Sequence, residues 1–198
     1  MDKNPNKHNR RSIRLRGFDY SSVGAYFVTI CTHKHKCVFG EVINSQMVLN
    51  DAGMMVQEVW DQIRGNYTGV ETDEFVIMPN HIHGIIVLVG AAPRGRPDGY
   101  HACAENEYGA TGQPQGVAPT LSLPDVVLRF KTMTTKRYAD SVKEYGWPSF
   151  PGKLWQRNYY EHIIRNEIEW KHLREYIINN PVKWECDRNH PSVWEHTW

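Results

Sequence analysis

Two kinds of periodicity alternate along this chain, and that alternation restricts its architecture more than any other feature. Tyr26-Phe-Val-Thr-Ile-Cys-Thr32 is β-branched and aromatic, the composition of a strand buried on at least one face. Val38 to Leu49, with turn signals at Gly40 and Asn44-Ser45, predicts a β-hairpin region. Asn50 or Asp51 then caps a helix running to about Arg64, where Met54, Met55, Val59 and Ile63 form a stripe at helical spacing and Gly65-Asn66 stops it. Two strands follow, Glu74–Met78 and His81–Val89, joined at Pro79-Asn80. Ser122-Leu-Pro-Asp opens a helix through Val126, Val127, Phe130 and Met133 to about Asp140. A strand-like aromatic stretch, Leu154 to Ile164, leads into a last helix capped by Asn166 and ended by Asn179-Asn180-Pro181. Interleaved strands and helices of this kind predict an α/β sandwich, with helices packed on one face of a mostly antiparallel sheet.

Composition narrows the function. With 198 residues there is enough chain for one domain with a substantial core. The 23 Lys+Arg nearly cancel the 22 Asp+Glu, which excludes a polycation or an acidic solvating protein but leaves room for a local basic patch. No apolar run approaches the roughly 18–20 residues needed to span a bilayer, and Met1 to Arg16 has no apolar centre of a signal peptide. A soluble, cytoplasmic protein with no membrane partner is expected. The four cysteines form no regular framework and are expected as reduced thiols.

Two segments stand apart. Residues 1–16 carry six basic side chains, Arg14 and Arg16 among them, against one acid, and are expected to form an arm suited to an anionic partner. Residues 90–119 hold six Gly and four Pro without periodicity and are expected to be an inserted loop.

The sharpest chemical feature is His81-Ile82-His83. On a strand both imidazoles point to one face, with Cβ atoms about 6.6–7 Å apart, close enough to converge on one ion at roughly 2.1 Å. Taken alone the pair admits two readings, a metal site or two hydrogen-bonded histidines. On the last helix Trp170, Leu173 and Ile177 define the buried stripe, and Tyr176 and Asn180 are i, i+4 neighbours on its flank. They read equally as part of a site or as a core-edge tyrosine and a helix-ending asparagine. Cys31, His33, His35 and Cys37 do not make a zinc site if extended, because six steps of about 3.3 Å separate the two thiols by nearly 20 Å.

Three motifs occur in order: Met78-Pro-Asn-His-Ile-His-Gly-Ile-Ile-Val-Leu88, Leu154-Trp-Gln-Arg-Asn-Tyr-Tyr-Glu-His-Ile-Ile-Arg165 and Tyr176-Ile-Ile-Asn-Asn-Pro-Val-Lys183. Together they resemble the single-tyrosine (Y1) HUH transposases, relatives of the IS200/IS605 enzymes, and most closely the branch associated with repetitive extragenic palindromes (REP). The resemblance covers about Arg14 to Lys183 apart from the insert. It implies a domain over 17–185 followed by a tail over 186–198, and a ferredoxin-like (RRM-like) sheet with two or more helices on one side. It implies that His81 and His83 hold a divalent ion, Mg²⁺ or Mn²⁺, with Asn180 as third ligand, and that Tyr176 is the nucleophile. Cleavage and rejoining of single-stranded DNA at hairpins through a 5′-phosphotyrosine is the implied reaction; a DNA-hairpin binding module without turnover is the rival. Monomer and dimer both remain open.

Expected DNA contacts are Arg14, Arg16, Arg129, Lys131, Lys136, Arg137, Arg157 and Arg165, with Trp155 as a stacking surface and His162 as either a contact or a structural group. Tyr159, Tyr160 and Tyr138 lack an amide one turn on and are expected as stacking or core residues.

Overall fold

A computed structural model describes residues 17–89, 121–150 and 152–194. The arm over 1–16, with Arg14 and Arg16, and the insert over 90–119 lie outside the described residues. Six strands and three longer helices follow one another: β1 (Gly24–Cys31), β2 (Gly40–Ile43), β3 (Gln46–Leu49), α1 (Asp51–Asn66), β4 (Val70–Met78), β5 (His81–Leu88), α2 (Leu123–Tyr145), β6 (Tyr160–Ile164) and α3 (Glu167–Ile178). A 3-10 segment, Pro181–Cys186, and a single turn, Pro191–Trp194, close the described chain.

The main sheet runs β4-β5-β1-β6, and every neighbouring pair is antiparallel. Setting aside the separate β2-β3 hairpin, the order of elements is β1-α1-β4-β5-α2-β6. With the sheet strands counted first to fourth, the spatial order is second, third, first, fourth, the ferredoxin-like arrangement of an α+β fold.

Local chemistry explains the helix starts. The Asn50 side chain accepts from the Gly53 N–H at 3.0 Å, and the Asn166 side chain accepts from the Glu169 N–H at 2.8 Å. Ser122 and Asp125 form a reciprocal capping box at the start of α2. This helix extends past Asp140 to Tyr145, where Gly146 takes the left-handed conformation (φ +69°) that ends it. Likewise β4 begins at Val70, ahead of the expected Glu74, because an irregularity between Thr72 and Phe75 hides the alternation.

Alternation along the strands creates two apolar faces. Tyr26, Val28, Ile30, Ile82 and Ile86 point to one, where α1 and α2 cover them with Val56, Trp60, Val127 and Phe130. The Trp60 ring stacks on Phe75 and passes so close to Gly84 that any Cβ there would collide with it. Ala25, Phe27, Ile85 and Ile164 point to the other face, and α3 covers them with Trp170, Leu173 and Ile177. The helices are therefore divided, two on one face and α3 on the opposite one, where the expectation put them together. The physical reason is that both sheet faces carry large apolar side chains, and α3 brings the only other apolar stripe among the described residues.

Only Tyr160–Ile164 of the expected 154–164 strand pairs in the sheet. Upstream, Trp155 forms an isolated bridge with Thr32 and turns its ring into the core. Lys131 holds the following turn by donating to the Gln156, Arg157 and Asn158 carbonyls at 3.0–3.4 Å.

Candidate active site

The face under α3 carries the candidate chemistry. His81 and His83 on β5 project to that face and are fully buried, while Ile82 between them enters the α1/α2 core. Their Nε2 atoms stand 3.0 Å apart. Each Nδ1 has its own partner: Asn80 Oδ1 at 2.8 Å for His81 and Thr29 Oγ1 at 2.8 Å for His83. Asn80 is held in turn, since its Nδ2 donates to the Asn189 carbonyl at 2.7 Å and the His35 carbonyl at 3.1 Å. With both amide hydrogens committed, Asn80 Oδ1 must accept, so His81 carries its proton on Nδ1 and presents a lone pair at Nε2. The Thr29 hydroxyl can donate or accept, so His83 is free to take either tautomer. As a donor to His81 it satisfies the pair; with its proton moved to Nδ1, both Nε2 lone pairs face one point.

The third helix brings Tyr176 to this pair. Its hydroxyl lies 3.4 Å from His83 Nε2, and its ring packs edge-on against both His83 and Phe27. Asn180, one turn later, is buried (1% exposed), and its Oδ1 has no hydrogen-bond partner. Asp187, just past the 3-10 segment, places Oδ2 3.9 Å from His81 Nε2, while its Oδ1 accepts from the Asn189 N–H at 2.5 Å. Ligand atoms of His81, His83 and Asp187 all lie within 4.8 Å of one another.

Burial governs the electrostatics. Desolvation pushes His81 down to about 4, against the pull of the Asp187 carboxylate, and His83 well below its ordinary value, so both imidazoles are neutral at pH 7. Tyr176 is raised, first by burial and then by the Asp187 charge, although the Asn180 side chain and Arg188 favour its ionised form. The phenol is thus a poor nucleophile by itself.

Neutral imidazoles, a carboxylate and a buried amide oxygen without a partner form a donor set for a divalent cation. Adjacent ligands about 2.1 Å from an octahedral ion stand about 3.0 Å apart, which matches the imidazole spacing. The residues fit such an ion. Sequence reasoning missed Asp187: it follows an irregular turn, has no periodic relation to any motif, and falls in the segment expected as a tail. Only its proximity in the fold reveals it.

The other candidates separate. His162 faces the same side of the sheet and bonds Glu169 at 2.6 Å. Arg165 is exposed at the end of β6, with its backbone N–H on Glu169. Arg129, Lys136 and Arg137 lie on α2, across the sheet from the histidines. There Arg129 rests on the Tyr67 ring, Lys136 pairs with Asp140, and Arg137 meets Gln62 and Glu58. Arg157 is exposed on the turn that Lys131 holds. Trp155 corrects the expectation of a stacking surface: its ring is 5% exposed, packs on Phe39 and Phe130, and donates to Thr134 Oγ1 at 2.8 Å. Cys31, His33, His35 and Cys37 are not among the described groups able to hold one metal. No described helix is long and apolar enough to cross a membrane.

The ferredoxin-like sheet, with a buried His-x-His pair on a central strand and a tyrosine helix across it, is similar in fold to a solved tyrosine transposase. The structure of the REP-associated tyrosine transposase bound to a REP hairpin superposes with a TM-score of 0.52, covering 87% of this chain and 74% of that one at 18% identity. A candidate transposase of Deinococcus radiodurans R1 aligns over 85% of this chain and 97% of its own, at 17% identity and a TM-score of 0.44. An uncharacterised protein of Haemophilus influenzae (strain ATCC 51907 / DSM 11121 / KW20 / Rd) is 41% identical over 189 residues, 95% of this chain and 91% of its own. This chain belongs to the same family as that Haemophilus protein. No family model matches it.

Proposed function

We propose that the protein is a divalent-metal-dependent endonuclease and transposase that cleaves and rejoins single-stranded DNA at hairpins. The observation that carries this reading is the approach of the Tyr176 hydroxyl to within 3.4 Å of His83 Nε2, beside the His81 pair and Asp187. A structural tyrosine has no need of a buried donor set, and a pure DNA-binding module has no need of a phenol aimed into one.

In this reading His81, His83 and Asp187 hold Mg²⁺ or Mn²⁺, with the Asn180 Oδ1 completing the set. The bound ion would neutralise charge at phosphorus and favour the phenolate. Tyr176 Oη attacks phosphorus, the bond from phosphorus to the 3′ oxygen breaks, and the phenolic proton passes through solvent to that oxygen. A 5′-phosphotyrosine and a free 3′-hydroxyl result. One phosphodiester replaces another, so attack by a 3′-hydroxyl reverses the step without a nucleotide triphosphate. Arg157 and Arg165, with the α2 cations and the basic arm over 1–16 that carries Arg14 and Arg16, offer a non-specific hold on the phosphodiester backbone. The rest of the domain, 17–185, frames the site, and residues beyond 185 contribute Asp187 to it.

Incubation with end-labelled single-stranded hairpins and Mn²⁺ tests the reading. A covalent protein–DNA adduct is expected from the native chain and none from Tyr176→Phe, with hairpin affinity changed by less than about threefold. Tight binding with no adduct on any hairpin, with either metal, would establish the binding module instead.

A further inference from the structure

A cleft of about 590 Å³ opens beside Tyr176, between β6, α3 and the 183–188 segment. That volume lies within the range of about 300–1,000 Å³ usual for a single small ligand. Phe27, Tyr160 and Leu173 give it an aromatic and apolar lining, Tyr176 and the Asp187 carboxylate of the candidate site border it, and the exposed Lys183 and Arg188 complete its wall. Tyr160 is the exposed ring of the set, 39% accessible on β6, while Phe27 beneath it is buried. The two rings meet edge-to-face with centroids 6.4 Å apart, so Tyr160 is braced by the core. The Arg188 guanidinium sits 5.7 Å from the Tyr160 centroid, near the outer limit of a cation–π contact.

We infer that this cleft takes one unstacked nucleotide of the DNA strand that Tyr176 attacks, with its base on Tyr160 and its phosphate between Lys183 and Arg188. This rests on the reading above and adds to it the place where the strand is gripped. A bare phosphate would not use an aromatic lining, and an apolar ligand would not use two cations in the wall. A nucleotide uses both, because every base has a π-face and every link carries a negative charge. The position beside Tyr176 places that nucleotide within one link of the bond to be broken.

Hairpins with single-stranded 5′ and 3′ tails, substituted with 2-aminopurine at one tail position at a time, test the inference without cleavage when bound to Tyr176→Phe in the absence of divalent metal. One position is expected to lose fluorescence on binding, through stacking. The quench should persist in Tyr160→Phe and vanish in Tyr160→Ala, with affinity lowered roughly 5- to 100-fold, the range of one base–aromatic stack. Arg188→Gln and Lys183→Gln should each reduce the salt dependence of binding by about one phosphate contact. If Tyr160→Ala binds and quenches as Tyr160→Phe does, or if no tail position is quenched, the cleft does not hold a base and the inference is overturned. The two readings fail separately: a Tyr160-dependent quench without any adduct from the native chain leaves the cleft standing and removes the nuclease. An adduct without such a quench does the reverse.

Discussion

At the residue scale, the histidine pair works as a ligand set only because its protonation is prearranged. Two ordinary imidazoles titrate near 6.5, and at pH 5.5 each would be about nine-tenths protonated. Burial moves His81 to about 4 and His83 well below its usual value, so protons do not compete for either Nε2 until the solution is far more acidic. Calorimetric titration with Mn²⁺ should therefore give affinities within roughly threefold at about pH 5.5 and pH 7.5, where unshifted histidines would lose roughly a hundredfold. A hundredfold loss would mean that the pair titrates normally and is not held neutral. The same shifts set the sign for stability of the metal-free chain. Below 6.5 the unfolded imidazoles bind protons that the folded ones refuse, His81 until about 4, so stability falls as pH drops below 6.5 and is regained as it rises.

At the scale of elements, the position of Tyr176 depends on how α3 is anchored. Asp73 on β4 accepts two hydrogen bonds from the Arg174 guanidinium, both at 2.7 Å, and another from Trp170 Nε1. Burial alone would raise the Asp73 carboxyl, but the Arg174 and Trp170 bonds together outweigh it and hold it below the usual range, hence charged at neutral pH. Because the bonded groups lie one helical turn apart, the clamp fixes both the rotation and the height of α3, and Tyr176 follows two residues later. Asp73→Asn should lower stability by about 1–2 kcal/mol, since the pair is partly exposed. It should slow adduct formation by more than it weakens hairpin binding. Glu167→Gln, which breaks only the exposed pair with Lys171, should leave melting temperature and adduct rate within error. Equal behaviour of the two variants would show that the clamp does not position the tyrosine.

The elements also mark what could be read in advance. Asn50, Ser122 and Asn166 announced their helices because a cap is a local event, decided by three or four consecutive residues. Strand alternation was enough to put His81 and His83 on one face and Ile82 in the core, because a period of two leaves no other arrangement. The amphipathic stripe of α3 revealed that Trp170, Leu173 and Ile177 would be covered, but not by which face of the sheet, a choice made by Phe27 and Ile85 far away in the chain. Trp155 reads as a surface ring because Lys153, Gln156 and Arg157 surround it, while its burial is decided by Thr134 and Phe39. Asp187 was hidden for the same reason, its partner being His81 on a strand more than a hundred residues earlier.

At the scale of the whole molecule, one chain brings together every group of the proposed site: histidines from β5, the tyrosine and amide from the end of α3, and the carboxylate from the segment that follows. Placing α3 on the face away from α1 and α2 makes this possible, since the path from β6 through Asn166 returns the helix directly across β1 and β5. Such a site is complete in a single copy, and no exchange of helices between copies is required. Mixing two inactive chains tests this. One carries Tyr176→Phe with an intact donor set; the other carries His81→Ala and His83→Ala with an intact tyrosine. If the tyrosine serves the histidines of its own chain, the mixture forms no adduct at any ratio, and the rate for the native protein rises linearly with its concentration. If α3 is exchanged between two copies, mixed dimers contain one site with both halves intact, adduct returns toward about a quarter of the native level in a freely exchanging equal mixture, and the single-chain assembly seen here is not the reactive one.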